Sequence, residues 1–168
     1  MSMRVAPAMV FLVFGAVVVC GWILQRPSEI IDNDTILAIP NGEAKLVSEL
    51  ANTDFTTVCV LHPYQERLPP QTGDIDIARA NAHLSEIGYA GDEGHWAMLL
   101  IRAKAIELAV FKRSAELDIG TARQLQSMGA NKLLPIGFVP KNCADGEHVA
   151  VSKIRVQDRT YVILGETH

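Results

Sequence analysis

Apolar residues along this chain change their period several times, and each change marks an element. The first stretch has no period at all. Val5 to Leu24 is 20 residues without a charge, bracketed by Arg4 and Arg26. A helix of that length is about 30 Å long, the hydrocarbon thickness of a bilayer. Eleven of its positions are Val, Leu, Ile or Phe, which sum to roughly −5 kcal/mol on an insertion scale. The reading is an uncleaved signal-anchor over residues 1–26, with the short tail of Arg4 in the cytoplasm and the remainder outside. Cleavage near Gly21, giving a secreted protein, is the alternative. The core is long for that, and Val19-Cys20-Gly21-Trp22 offers a poor cleavage site. Acylation of Cys20 is disfavoured by the branched Val19 before it.

Residues 27–41 form the juxtamembrane linker, and Ile30, Ile31, Ile36, Leu37 and Ile39 predict that part of it packs. Residues 42–168 then make one domain of ordinary size. Asn41-Gly42 is a turn signal, and Glu43 to Ala51 places Leu46, Val47, Leu50 and Ala51 on one helical face. Phe55 to Leu61 is β-branched and apolar and reads as a strand. It ends at His62-Pro63-Tyr64 and a loop with Pro69, Pro70 and Gly73. A short helix follows, capped by Asp74, with Ile77, Ala80, Leu84 and Ile87 at helical spacing and Gly88 as its stop.

Residues 95–113 admit two readings. Propensity favours a helix, but their charges fall on several sides of a helical wheel. A hairpin with strands at 95–101 and 106–112 is the preferred reading, although its turn lacks Gly, Asn and Asp. Thr121 to Met128 predicts one or two helical turns, and Pro135, Gly137 and Pro140 predict loop. Val149 and Val151 share one parity, Ile154 and Val156 the other, so a bulge is expected at Ser152-Lys153. Gln157-Asp158-Arg159 turns the chain into a return strand at 160–164. The sum is an α+β domain: an antiparallel sheet of about five strands with two or three packed helices.

Charge narrows the partners. Beyond Arg26, 13 basic residues stand against 19 acidic ones, a net −6. No run of five or more basic residues occurs, which argues against nucleic acid. The membrane, through Val5 to Leu24, and an envelope protein are the expected partners. With Cys20 in the anchor, Cys59 and Cys143 remain, and an oxidising compartment makes them a disulfide.

Motif chemistry is sparse. The chain lacks a phosphate-binding glycine loop, G-x-G-x-x-G, H-E-x-x-H, C-x-x-C and G-x-S-x-G, and no cofactor is expected. A thiol hydrolase or transferase acting on peptide or cell-wall material would use Cys59 as nucleophile. His95 would be its base, with Asp92 or Glu93 orienting the ring. Against it, Cys59 lies within an apolar strand. A metal site drawn from His62, His95 and His148 with Asp145 or Glu147 has no paired spacing, and no metal is assigned. The two polar-aromatic loops, His62 to Arg67 and Asp92 to Trp96, supply His62, Tyr64, Arg67, Glu93, His95 and Trp96 as binding-surface candidates. They become one surface if the fold places both at the same end of the sheet. The leading expectation is therefore a non-catalytic, membrane-anchored periplasmic binding domain on a cell inner membrane.

Overall fold

The computed structural model describes residues 31–51, 53, 55–70 and 76–168. The expected anchor over Val5 to Leu24 and the Asp74 cap lie outside the described residues. Among the described residues no helix is long and apolar enough to cross a membrane. In chain order the elements are α1 (Asn33–Leu37), β1 (Glu43–Leu46), α2 (Val47–Ala51), β2 (Thr57–Leu61), α3 (Ile77–Glu86), β3 (His95–Ile101), β4 (Ile106–Lys112), β5 (Asp118–Ile119), α4 (Ala122–Ser127), β6 (Phe138–Pro140), β7 (Cys143–Asp145), β8 (Val149–Val156) and β9 (Arg159–Thr167). A 3₁₀ turn covers Asn131–Leu133.

The fold is α+β, but it holds two sheets where one was expected. One runs β1-β8-β9-β5, with β6 also paired to β9; the other runs β4-β3-β2-β7. All pairings are antiparallel except the two-residue match of β5 with β9. The sheets pack face to face. Val58, Val60, Trp96, Met98, Leu100 and Phe111 of one meet Val149, Val151, Val162 and Leu164 of the other in a single core. Alternation along each strand leaves a second set of residues on the outer faces. Cys59, Leu61, Ala97 and Leu99 are covered by Ala80 and Leu84 of α3. Ala150, Ile154 and Ile163 are covered by Leu125 of α4. The layers are thus helix, sheet, sheet, helix.

This layering overturns the bulge at Ser152-Lys153. The β8–β9 register is unbroken from Val149↔Glu166 to Val156↔Arg159. Val149 and Val151 face the inter-sheet core, while Ile154 faces α4. A strand buried on both faces shows no net parity, which imitates a switch. The helix expected over Glu43 to Ala51 is also corrected. Its first four residues form β1, in register with Lys153 to Ala150 of β8, and only Val47–Ala51 is helical. Ladder pairing with a long neighbouring strand outweighs the local helical preference there.

The hairpin reading holds for β3 and β4. Its turn without glycine is held from outside. Arg79 of α3 donates through Nη1 to the Ala103 carbonyl at 2.7 Å and through Nη2 to the Arg102 carbonyl. The helix carrying Arg79 is capped by Asp76, which accepts from the Arg79 N–H at 3.0 Å. Ile31, Ile36 and Ile39 are buried in the inter-sheet core. The adjoining α1 is tied to β8 by Lys153, whose ammonium donates to the Leu37 carbonyl and is pulled below the usual lysine range by burial.

Candidate functional site at one end of the sandwich

Cys59 and Cys143 form a disulfide. They stand directly opposite in the β2–β7 register, with Cα atoms 4.0 Å apart. The adjacent Val60 N–H donates to Asn142, so the cystine occupies a non-hydrogen-bonded pair, where cross-strand side chains approach most closely. It is buried beneath α3. Cys59 therefore carries no thiolate. His95 lies four positions along β3 from Leu99, the residue opposite Cys59, about 13 Å of strand. The two are not brought together as a dyad.

The two polar-aromatic loops, by contrast, do meet. The Tyr64 N–H donates to the Asp92 carbonyl at 3.2 Å. A Cβ on Gly91 would stand 2.5 Å from the Gln65 carbonyl oxygen, so only glycine permits that approach. Inside the first loop, the Gln65 side-chain oxygen accepts from the His62 N–H at 2.9 Å. Inside the second, Asp92 accepts from His95 Nδ1 at 2.8 Å and from the Gly94 N–H at 2.7 Å. The His95 bond, ahead of the Gly94 bond, holds the Asp92 carboxyl below the usual carboxylate range.

Tyr64 has φ 64. Bulky residues seldom adopt that left-handed backbone, and its cost is tolerated mostly at functional positions. The consequence here is presentation: Tyr64 is 67% exposed. The neighbouring Glu93 carboxylate raises its pKa above the usual phenol value.

Beneath these loops lies a charge cluster that pattern reading missed. Asp118 of β5 is buried, yet it accepts from Arg113 Nε at 2.7 Å, Arg113 Nη2 at 3.0 Å and Arg159 Nη1 at 2.8 Å. Burial alone would raise its pKa. The Arg113 bond and the Ile119 N–H bond outweigh it, leaving the carboxyl below its ordinary value. Arg113 also donates to the Glu93 carbonyl at 2.9 Å, tying the cluster to the second loop. Two guanidinium groups thus share one buried carboxylate. The signal was there in Leu117-Asp118-Ile119, since an acid between two apolar strand residues needs a buried partner.

The remaining candidates separate. Trp96 is not a surface aromatic: it is fully buried and stacks on Phe111 with ring centroids 4.2 Å apart. It follows His95 as the first inward-facing residue of β3. His62 is half-buried and its ring faces Asn142 Oδ1 at 3.3 Å; burial lowers its pKa below the usual imidazole value. Arg67 is exposed. His148, Asp145 and Glu147 sit at the opposite end, where the His148 carbonyl accepts from the Thr167 N–H. Among the described residues no group of three or more His, Cys, Asp or Glu side chains could hold a metal ion. What the site offers is an exposed tyrosine, a paired carboxylate and partly exposed arginines on a rigid base. Those groups suit recognition, and no activated nucleophile stands among them. Comparison with protein-family models, with curated proteins and with solved structures returned no match to this chain.

Proposed function

We propose that this chain is a non-catalytic binding module of the cell envelope, anchored by Val5 to Leu24 in an inner membrane and displayed in the periplasm. Its partner is a protein or ligand engaged by Tyr64, Arg67, Glu93 and His95. The observation that supports this reading is Tyr64, held at φ 64 with its ring exposed and its backbone stitched to Asp92. A rigid aromatic with few rotatable bonds, above arginines, is the usual composition of a contact anchor. Anchoring supports it as well, because tethering raises the effective concentration near envelope partners. The disulfide weighs against the thiol hydrolase or transferase, since Cys59 would have to be reduced before it could act.

A photo-crosslinking amino acid placed at Tyr64 in the full chain, in its native membrane, tests the reading. One discrete adduct is expected at position 64, lost on Glu93→Ala, and none from the same probe at Ser127 on α4. Equal adducts at both positions, or none at Tyr64, would overturn it.

A further inference from the structure

Residues 121–141 run against the overall charge of the chain. They carry Arg123, Lys132 and Lys141 and no acidic residue, although the whole chain has a formal charge of −4. They also expose four large apolar side chains, Met128, Leu133, Ile136 and Val139. Ile136 is completely exposed, at the tip of a turn in which the Phe138 N–H donates to the Pro135 carbonyl at 3.1 Å. Gly137 supplies the left-handed residue of that turn, φ 79, and a Cβ there would lie 2.7 Å from the His168 carbonyl oxygen. The turn therefore has one shape, and it projects its isoleucine outward.

Beside the turn is a groove of about 460 Å³ lined by Arg123, Leu134, Phe138 and Val139 among others. Glu166, opposite Val139 in the register, is engaged by Lys141 at 2.6 Å. Arg123 and Lys132 have no acidic partner among the described residues. Two cations without an acidic partner among the described residues thus belong to the same short stretch as the apolar projection.

A single exposed apolar residue needs no explanation. Four of them grouped in one short stretch of net positive charge are different. An anionic lipid surface fits both halves of the pattern. Its headgroup boundary accepts small apolar tips, and its phosphates attract lysine and arginine. We infer that the Ile136 turn is a membrane contact of its own. It docks on anionic lipid, with Ile136 and Leu133 at the headgroup boundary and Arg123 and Lys132 over the phosphates.

The geometry gives this contact a consequence. Phe138 pairs with Thr167, whereas Asp118 pairs with Tyr161. The turn and the loop cluster are six positions apart along β9, about 20 Å. Docking through the turn points the loop cluster away from the bilayer, whatever that cluster binds.

The test uses the full chain reconstituted in vesicles, with Cys20→Ser so that a single introduced cysteine takes a polarity-sensitive dye. One sample carries the dye at Ile136→Cys, the other at Asp158→Cys in the β8–β9 turn. Vesicles are phosphatidylcholine alone, or equal parts phosphatidylcholine and phosphatidylglycerol. The expected result is a blue shift at position 136 only, with phosphatidylglycerol only, reversed by high salt. Arg123→Gln with Lys132→Gln is expected to weaken that partitioning by roughly fivefold per charge removed. An emission at 136 indifferent to lipid composition overturns the proposal, as does an equal shift at 158. A shift that follows protein concentration in place of lipid charge assigns the turn to a second copy and overturns it too.

Discussion

The charge cluster under the loops makes a quantitative prediction for Asp118→Asn. The substitution keeps shape and removes the charge that holds two guanidinium groups. Removing one partner of a buried ion pair costs about 3–5 kcal/mol, because the other charge is left uncompensated. Here the Asp118 side chain is 5% exposed, but Arg113 and Arg159 are 29% and 41% exposed and recover part of their hydration. Discounting for that screening leaves a loss of about 2–3 kcal/mol. For a domain of this size it corresponds to a Tm lower by roughly 6–9 °C. The dependence on pH is equally specific. Asp118 has a lowered pKa in the fold, so its stabilisation is complete above the unfolded-chain value of about 3.9 and is lost as pH falls through the folded value. Urea titration of both proteins in detergent, followed by near-UV circular dichroism, should show the full gap at neutral pH. The gap should narrow steadily as the pH is lowered below about 4. A gap under about 0.5 kcal/mol at neutral pH is the size of an ordinary surface change. That result, or a gap unaltered by acid, refutes the account of the cluster.

Mass mapping of protein alkylated before reduction should find Cys59 linked to Cys143, and replacing both by Ala should cost about 4.6 kcal/mol on the chain-entropy model for their separation of 84. Two alkylated thiols in protein from its native membrane would contradict both the pairing and an oxidising location. Arg79→Ala should free the β3–β4 turn, costing about 1–2 kcal/mol after allowance for partial exposure. Amide exchange at Arg102, whose N–H donates to Ala105, should speed up more than exchange in β8; equal changes in both would mean that Arg79 does not hold the turn.

How much of this architecture was legible depended on which contacts were local. The β3–β4 hairpin and the β8–β9 pair are joined by short turns, so apolar runs on either side of a short polar reversal were enough to find them, although the double-sided burial of β8 disguised its parity. The second sheet was not visible. Its existence depends on β2 and β7, which pair across 84 residues through Cys59 and Cys143. β7 itself is three residues long, too short for any period to register. Strand β1 failed for a related reason. Its four residues are extended because Lys153 to Ala150 offer a ladder, and that partner lies more than a hundred residues away.

The site divides along the same line. Tyr64, Glu93, Asp92 and His95 stand in loops whose polar-aromatic composition marked them, and their meeting needed only that β2 and β3 be neighbours. Trp96 was misplaced by one residue's worth of reasoning: the loop ends at His95, and strand alternation sends the next side chain inward to Phe111. The Arg113–Asp118–Arg159 cluster could not be assembled in advance, because Arg159 reaches Asp118 only through the parallel match of β5 to β9. What was readable was the need. A carboxylate between Leu117 and Ile119 costs too much unless cations reach it, and the arginines nearest in the fold answer that need. Since Arg113 also fixes the Glu93 loop through its carbonyl, the group that stabilises this end of the sandwich is also the one that positions the Glu93 carboxylate beside Tyr64. Loss of Asp118 should therefore weaken binding at the loops as well as the fold.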